Sequence, residues 1–175
     1  ANWAVISPTG TIPTTETLSI KFTGTNATEW RIDDVKLSGI LIPTSTITFA
    51  NLQFPGSHTM NEGSTFDVYG QVYAEGLTEA AGAGTGFTAQ VGYSTTNTNP
   101  DTWTNWINSA FNVQAGNNDE FKATWGNNLT PGTYYYATRF RIGTGAWVYG
   151  GYNTNVTTAG GIWNGTANVS GVLTV

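Results

Sequence analysis

The stretch Phe66-Asp67-Val68-Tyr69-Gly70-Gln71-Val72-Tyr73 decides how this chain is read. Phe66, Val68 and Val72 alternate with Asp67, Tyr69, Gln71 and Tyr73, a period of two that turns one set inward and the other toward water. Further along, Phe87, Ala89, Val91 and Tyr93 alternate with Thr88, Gln90 and Gly92 in the same way. The pattern predicts further strands over Leu18 to Phe22, Trp30 to Val35, Ile47 to Leu52, Glu120 to Trp125, Gly132 to Ile142, Ala146 to Tyr149 and Val169 to Val175. Turn-forming clusters lie between them: Gly56-Ser57, Asn61-Glu62-Gly63, Asn97 to Asp101, Gly126 to Asn128, Pro131-Gly132 and Gly143 to Gly145. No window carries a 3.6-residue period. The expected fold is all-β, an antiparallel β-sandwich with almost no helix.

Composition narrows the function classes. In 175 residues, aromatic side chains (13%) outnumber charged ones (10%), against about 25% charged in an average globular chain. Six Lys and Arg against eleven Asp and Glu give a net charge of −5, which lacks the basic footprint that neutralises phosphates, so no nucleic acid partner is expected. With no cysteine there is no disulfide framework, thiolate metal site or Cys nucleophile. The longest apolar runs, Trp3 to Ile6 and Gly39 to Pro43, fall far short of the ~18 residues of a membrane span, so no membrane insertion is expected. A neutral surface rich in Thr, Asn, Ser and Gly suits an extracellular or cell-surface location. Any export signal would have been removed or lie outside this stretch.

A boundary is expected where Ser38 to Ser45 interrupts the alternation with Gly, Pro and Ser. It yields a short N-terminal β segment over 1–39, a linker over 40–45 and a sandwich over 46–175. Fewer than 40 residues cannot bury a core of their own. Residues 1–39 therefore pack on the second unit, belong to a larger preceding domain, or complete a sheet in another chain.

Two family resemblances add to this reading. Gly132-Thr-Tyr134-Tyr-Tyr136-Ala resembles strand F of an immunoglobulin-like sandwich, with Tyr134 as the corner tyrosine and Tyr136 where the inter-sheet cysteine would stand. Gly171 to Val175 is similar to its closing strand G. The core Trp of strand C is missing from its counterpart here, Gly86 to Tyr93. Separately, Thr28-Glu-Trp30-Arg-Ile32-Asp-Asp34-Val-Lys-Leu37 resembles the last strand of jelly-roll domains in secreted and surface proteins of Bacteroidetes-type bacteria. The segments Asn51 to Pro55, Phe66 to Tyr73, Gly116 to Phe121, Gly132 to Arg139 and Gly165 to Val175 resemble a module found beside such domains. The resemblance implies export, a modular parent protein and a non-catalytic accessory role. It assigns no ligand.

The residues themselves argue against catalysis. The single histidine, His58, sits in a Pro-Gly-Ser-His turn and is expected to be solvated. Glycoside hydrolysis needs carboxylates roughly 5–9 Å apart across a cleft, whereas Asp33-Asp34 and Asp119-Glu120 are strand neighbours whose side chains point to opposite faces. No cofactor is required. Structural calcium is one reading of Asn117, Asn118, Asp119 and Glu120, four oxygen-bearing side chains in a row; the other is a turn in which Asn117 or Asn118 bonds its own backbone.

Aromatic residues on glycine- and asparagine-rich loops form the candidate ligand site: Trp147, Tyr149, Tyr152 and Trp163 first, with Trp103 second. Flat rings stack on the C–H faces of sugars, which makes a polysaccharide or glycan the expected partner. Trp30, Trp106 and Trp125, in alternating context, are read as core. Arg139 and Arg141 share an outward face with Tyr135 and Ala137, to grip acidic sugars or, the reading preferred here, to pair with Asp119 and Glu120 across a strand. Three functions follow: a non-catalytic carbohydrate-binding accessory module; a structural spacer or surface-assembly subunit in which residues 1–39 pair with neighbouring domains or subunits; and a hydrolase domain using carboxylates.

Overall fold

The structure, a computed structural model, describes residues 45–153, 155 and 160–175. The chain divides between Ile42 and Pro43, and the following concerns the second unit alone. The expected β segment over 1–39, including Trp30 and Asp33-Asp34, and the linker up to residue 44 lie outside the described residues.

The described residues of the unit form eleven strands: β1 Ile47–Ala50, β2 Ser57–Thr59, β3 Phe66–Ala74, β4 Phe87–Ser94, β5 Asn105–Asn108, β6 Ala110–Ala115, β7 Asn118–Trp125, β8 Thr133–Ile142, β9 Val148–Gly151, β10 Gly161–Ile162 and β11 Gly171–Thr174. Among the described residues there is no α-helix, only a 3-10 turn at Pro100–Thr102. The alternation read from the sequence is the cause. Along β3 every second residue, from Phe66 to Ala74, is buried, and the residues between are half-exposed.

The strands form two sheets. The first runs β1-β3-β7-β6, all antiparallel. In the second, β8 pairs along one edge with the whole of β4, which carries β5 beyond it. The other edge of β8 is divided: Thr133 to Tyr136 pair with β11, and Thr138 to Phe140 pair with β9. Beyond these, β2 runs parallel to β11 and β10 antiparallel to β9. The order β1-β3-β7-β6 against β5-β4-β8-β11 is the A-B-E-D against C′-C-F-G order of an immunoglobulin-like sandwich. Both sheets feed one core. Phe66, Val68, Ala123 and Trp125 from the first meet Val91, Tyr134, Tyr136 and Leu173 from the second, and a smaller cluster joins Val72 and Phe121 to Ala89 and Phe140.

Two tyrosines fix β8. The Tyr134 hydroxyl donates to the Thr130 carbonyl four residues upstream at 2.9 Å, the corner expected of that residue. Tyr136, fully buried, reaches across the core to donate to the Pro55 carbonyl at 2.6 Å. Its ring lies edge-on to Phe66 and Trp125, at 5.5 and 6.1 Å.

After β1 the chain serves both sheets in turn. Asn51 N–H donates to Gln71 (2.9 Å), Leu52 N–H to Gly151 of the second sheet (3.1 Å), and Gln53 N–H to Tyr69 of the first (2.9 Å). Asn51, with no exposed surface, also accepts through Oδ1 from Gln71 N–H at 2.7 Å. Its carbonyl accepts from the Thr138 hydroxyl at 2.7 Å. Gly150 presses on the same spot: a Cβ there would lie 2.6 Å from the Asn51 carbonyl oxygen.

This crossing yields a test. Thr138→Val preserves shape but removes the donor to a buried carbonyl, and is expected to cost about 1–3 kcal/mol in urea unfolding. Gly150→Ala overpacks the seam and is expected to cost about as much.

Candidate functional site

The outward face of the second sheet gathers polar and aromatic side chains into a row. With Tyr134, Tyr136 and Phe140 buried along β8, Arg139 and Arg141 must turn to the other side. Register then sets a transverse row. Asn108 of β5 opposes Gln90 of β4, Gln90 opposes Arg139 of β8, and Arg139 opposes Tyr149 of β9. Trp163, just past β10, continues it, its N–H donating to the Tyr149 carbonyl at 2.8 Å.

Stacked cations lock the row. The Arg139 guanidinium carbon lies 3.7 Å from the Trp106 ring centre and 4.0 Å from that of Trp147, and Arg141 lies 4.4 Å from Trp147. Such contacts contribute about 0.5–2 kcal/mol each. Arg139 Nε and Nη2 both donate to Gln90 Oε1, at 2.8 and 2.5 Å, and Gln90 Nε2 donates to Asn108 Oδ1 at 2.8 Å. Burial lowers the affinity of Arg139 for its proton, the hydrogen bond with Tyr149 opposes this, and the neighbouring Arg141 adds to the lowering; the guanidinium stays charged. Trp106 lies over Gly92, where a Cβ would meet the ring at 2.5 Å, so the missing side chain makes room for the indole. Its N–H donates to the Trp103 carbonyl at 2.9 Å, and the Tyr149 ring stands 5.9 Å away.

The aromatic residues singled out from the sequence divide between places. Trp147 and Tyr149 share this face, and Trp163 adjoins it, with its indole N–H donating to Ser170 Oγ at 3.2 Å. Tyr152 packs against the core cluster instead and covers Gly56. It lines a shallow groove of about 460 Å³ with Phe54, His58 and Tyr69, in which Phe54 is 62% exposed. Trp103 is buried (7% exposed), because the 3-10 turn before it folds its indole N–H back to Thr98 Oγ1 at 3.1 Å. It lies beneath Trp106, ring centres 6.2 Å apart.

Trp125 is core, as expected, but Trp106 is not. On β5 it is Ile107 that packs against the core, which leaves its neighbour outside, and that phase was available in Asn105-Trp106-Ile107-Asn108. The expected ladder of Arg139 and Arg141 with Asp119 and Glu120 is also corrected, since those carboxylates sit on β7 of the other sheet. His58 is on β2 rather than free in a turn, stacked on Phe66 at 4.8 Å.

Asn117, Asn118, Asp119 and Glu120 do not converge on a cation. Gly116, with φ of +66°, and Asn117 form the two-residue turn of the β6–β7 hairpin, in which Ala115 opposes Asn118. Beyond it strand alternation separates the side chains. Asn118 Nδ2 donates to Gln71 Oε1 at 3.3 Å, and Glu120 accepts from Asn112 Nδ2 at 2.6 Å. Asp119 turns to the opposite face from Glu120, fully buried, and accepts from Gly84 N–H at 2.7 Å through Oδ2. Its Oδ1 has no partner, and neither has Oε1 of Gln114, the residue opposite it. Among the described residues no three His, Asp or Glu side chains gather as metal ligands.

Burial holds the Asp119 carboxyl above its ordinary value of 3.8, with the Gly84 hydrogen bond opposing. The folded protein therefore binds more protons than the unfolded chain from that value up to the raised one, and stability falls as pH rises through this window. Asp119→Asn retains the acceptor for Gly84 and places a donor where Oδ1 has no partner. It is expected to abolish the decline and to stabilise the unit by about 1 kcal/mol near pH 7, read from urea midpoints between about pH 4 and 7. No known family model matches the chain, and no curated protein matches its sequence.

Proposed function

We propose that this unit is a non-catalytic accessory module of a secreted or cell-surface protein, and that it binds a glycan across the outer face of its second sheet. The observation carrying this reading is the single transverse row Asn108, Gln90, Arg139, Tyr149 and Trp163, flanked by Trp106 and Trp147. Strands lie about 4.8 Å apart, so the row from β5 to β10 extends about 19 Å. It is a platform rather than a cavity, a shape suited to a stretch of polymer. Aromatic rings offer surfaces for sugar C–H groups, and amides and guanidinium groups offer hydrogen bonds to hydroxyls. Trp106 and Trp147 are held by arginine, which leaves Tyr149 and Trp163 as the rings for sugar contact. Secretion is supported by the surface composition and by the family resemblance.

The structural-spacer reading draws on the same stack, because rings pinned by guanidiniums also stiffen a sheet. The two readings separate experimentally. In affinity gel electrophoresis against a polysaccharide panel, the glycan reading expects retardation that Tyr149→Ala and Trp163→Ala each weaken by about two- to tenfold, the range set by a single ring contact. Migration unaffected by every polymer, with an unchanged thermal midpoint, would leave the spacer.

A further inference from the structure

The charges on this face are unbalanced. The described cations are Lys122, Arg139 and Arg141. Lys122 pairs with Asp67 on the other sheet, at 3.3 Å. Arg139 and Arg141 stand side by side against one indole ring, yet among the described residues neither meets a carboxylate. The partners of Arg139 are the neutral Gln90 and Tyr149, and Arg141 Nε is buried with no acceptor. Acids are not scarce, since the whole chain carries −5. Asp67 bonds Lys122 and Thr124, Glu79 bonds Tyr73, Asp119 bonds Gly84 and Glu120 bonds Asn112. Two adjacent like charges repel, and the π faces that hold them supply no counter-charge.

We infer that the glycan taken by this face is anionic, with a sugar carboxylate or sulfate ester meeting the Arg139–Arg141 pair. The inference rests on the glycan-binding reading and names its ligand class. A guanidinium presents a planar fork of N–H donors that matches either oxyanion with two parallel hydrogen bonds. The arginine rotamers are already held by Trp106 and Trp147, so little side-chain entropy remains to be lost on binding. Neighbouring rings would bear on the sugar's C–H face while its acidic group turns to the Arg141 guanidinium, whose charge no carboxylate among the described residues meets.

The test compares the full chain on polygalacturonate, a sulfated galactan and an uncharged galactan by affinity electrophoresis and calorimetry. The expected result is binding to one or both acidic polymers at least about tenfold tighter than to the neutral one, weakening as salt is added. The arm that binds identifies carboxylate or sulfate. Arg141→Gln should lose that preference by about tenfold, and Arg141→Lys should retain part of it. Thr88 opposes Arg141 across β4 and β8; Thr88→Glu supplies the missing counter-charge from within and should abolish the preference with Arg141 in place. Equal binding of acidic and neutral polymers, unmoved by Arg141→Gln and Thr88→Glu, overturns the anionic inference and leaves the glycan reading standing. Binding to no polymer overturns both.

Discussion

The hydrogen bond from Thr138 to the Asn51 carbonyl is where the sandwich closes. Residues 51 to 53 give their N–H groups alternately to the two sheets, a path that takes polar backbone through a dry interior. Each group on that path needs a partner, since a buried unpaired carbonyl or amide costs about 1–3 kcal/mol. Asn51 meets the need twice, with its side-chain oxygen taking Gln71 N–H and its carbonyl taking Thr138. Once the crossing is held, β1 lies on β3, β2 lies on β11, and β9 is anchored through Gly151. The aromatic face on the far side of β8 and β9 inherits its geometry from that anchorage.

Much of the fold was legible in the sequence because two-residue alternation is a local signal. Phe66 to Tyr73 and Phe87 to Tyr93 read correctly from pattern alone, and Tyr134 makes the corner hydrogen bond that the resemblance implied. The strands Ser57–Thr59, Asn105–Asn108, Ala110–Ala115 and Gly161–Ile162 were not anticipated. They are short or irregular, and β6 carries a register shift between Phe111 and Val113 that breaks the period. Which strands share a sheet was not legible either. Asp119 and Glu120 lie one sheet away from Arg139, and no local pattern carries that long-range pairing.

The candidate site was half legible for the same reason. Composition and loop context identified Trp147, Tyr149 and Trp163, which the register brings to one end of the face. Trp103 and Tyr152 have similar surroundings in sequence but both turn inward: a 3-10 turn draws the first inside, and the second continues the inward phase of β9 just past Gly151. Trp106 is outward because Ile107 is its inward neighbour, a phase the sequence Asn105 to Asn108 carries. The arginines were placed on the correct face, but their partners are indole rings rather than carboxylates. The face is thus pre-organised by π surfaces, which hold a cation in place without cancelling its charge.

On the immunoglobulin-like resemblance Tyr136 takes the place of a cysteine, and it ties β8 to the segment before β2 through its hydroxyl and the Pro55 carbonyl. Burial drives that hydroxyl far above its ordinary pKa, so it remains a donor across the physiological range. A tie of this kind is a hydrogen bond and needs no oxidant or thiol partner. With no cysteine in the chain, the tie is indifferent to redox potential: reductants that open disulfides have nothing here to act on.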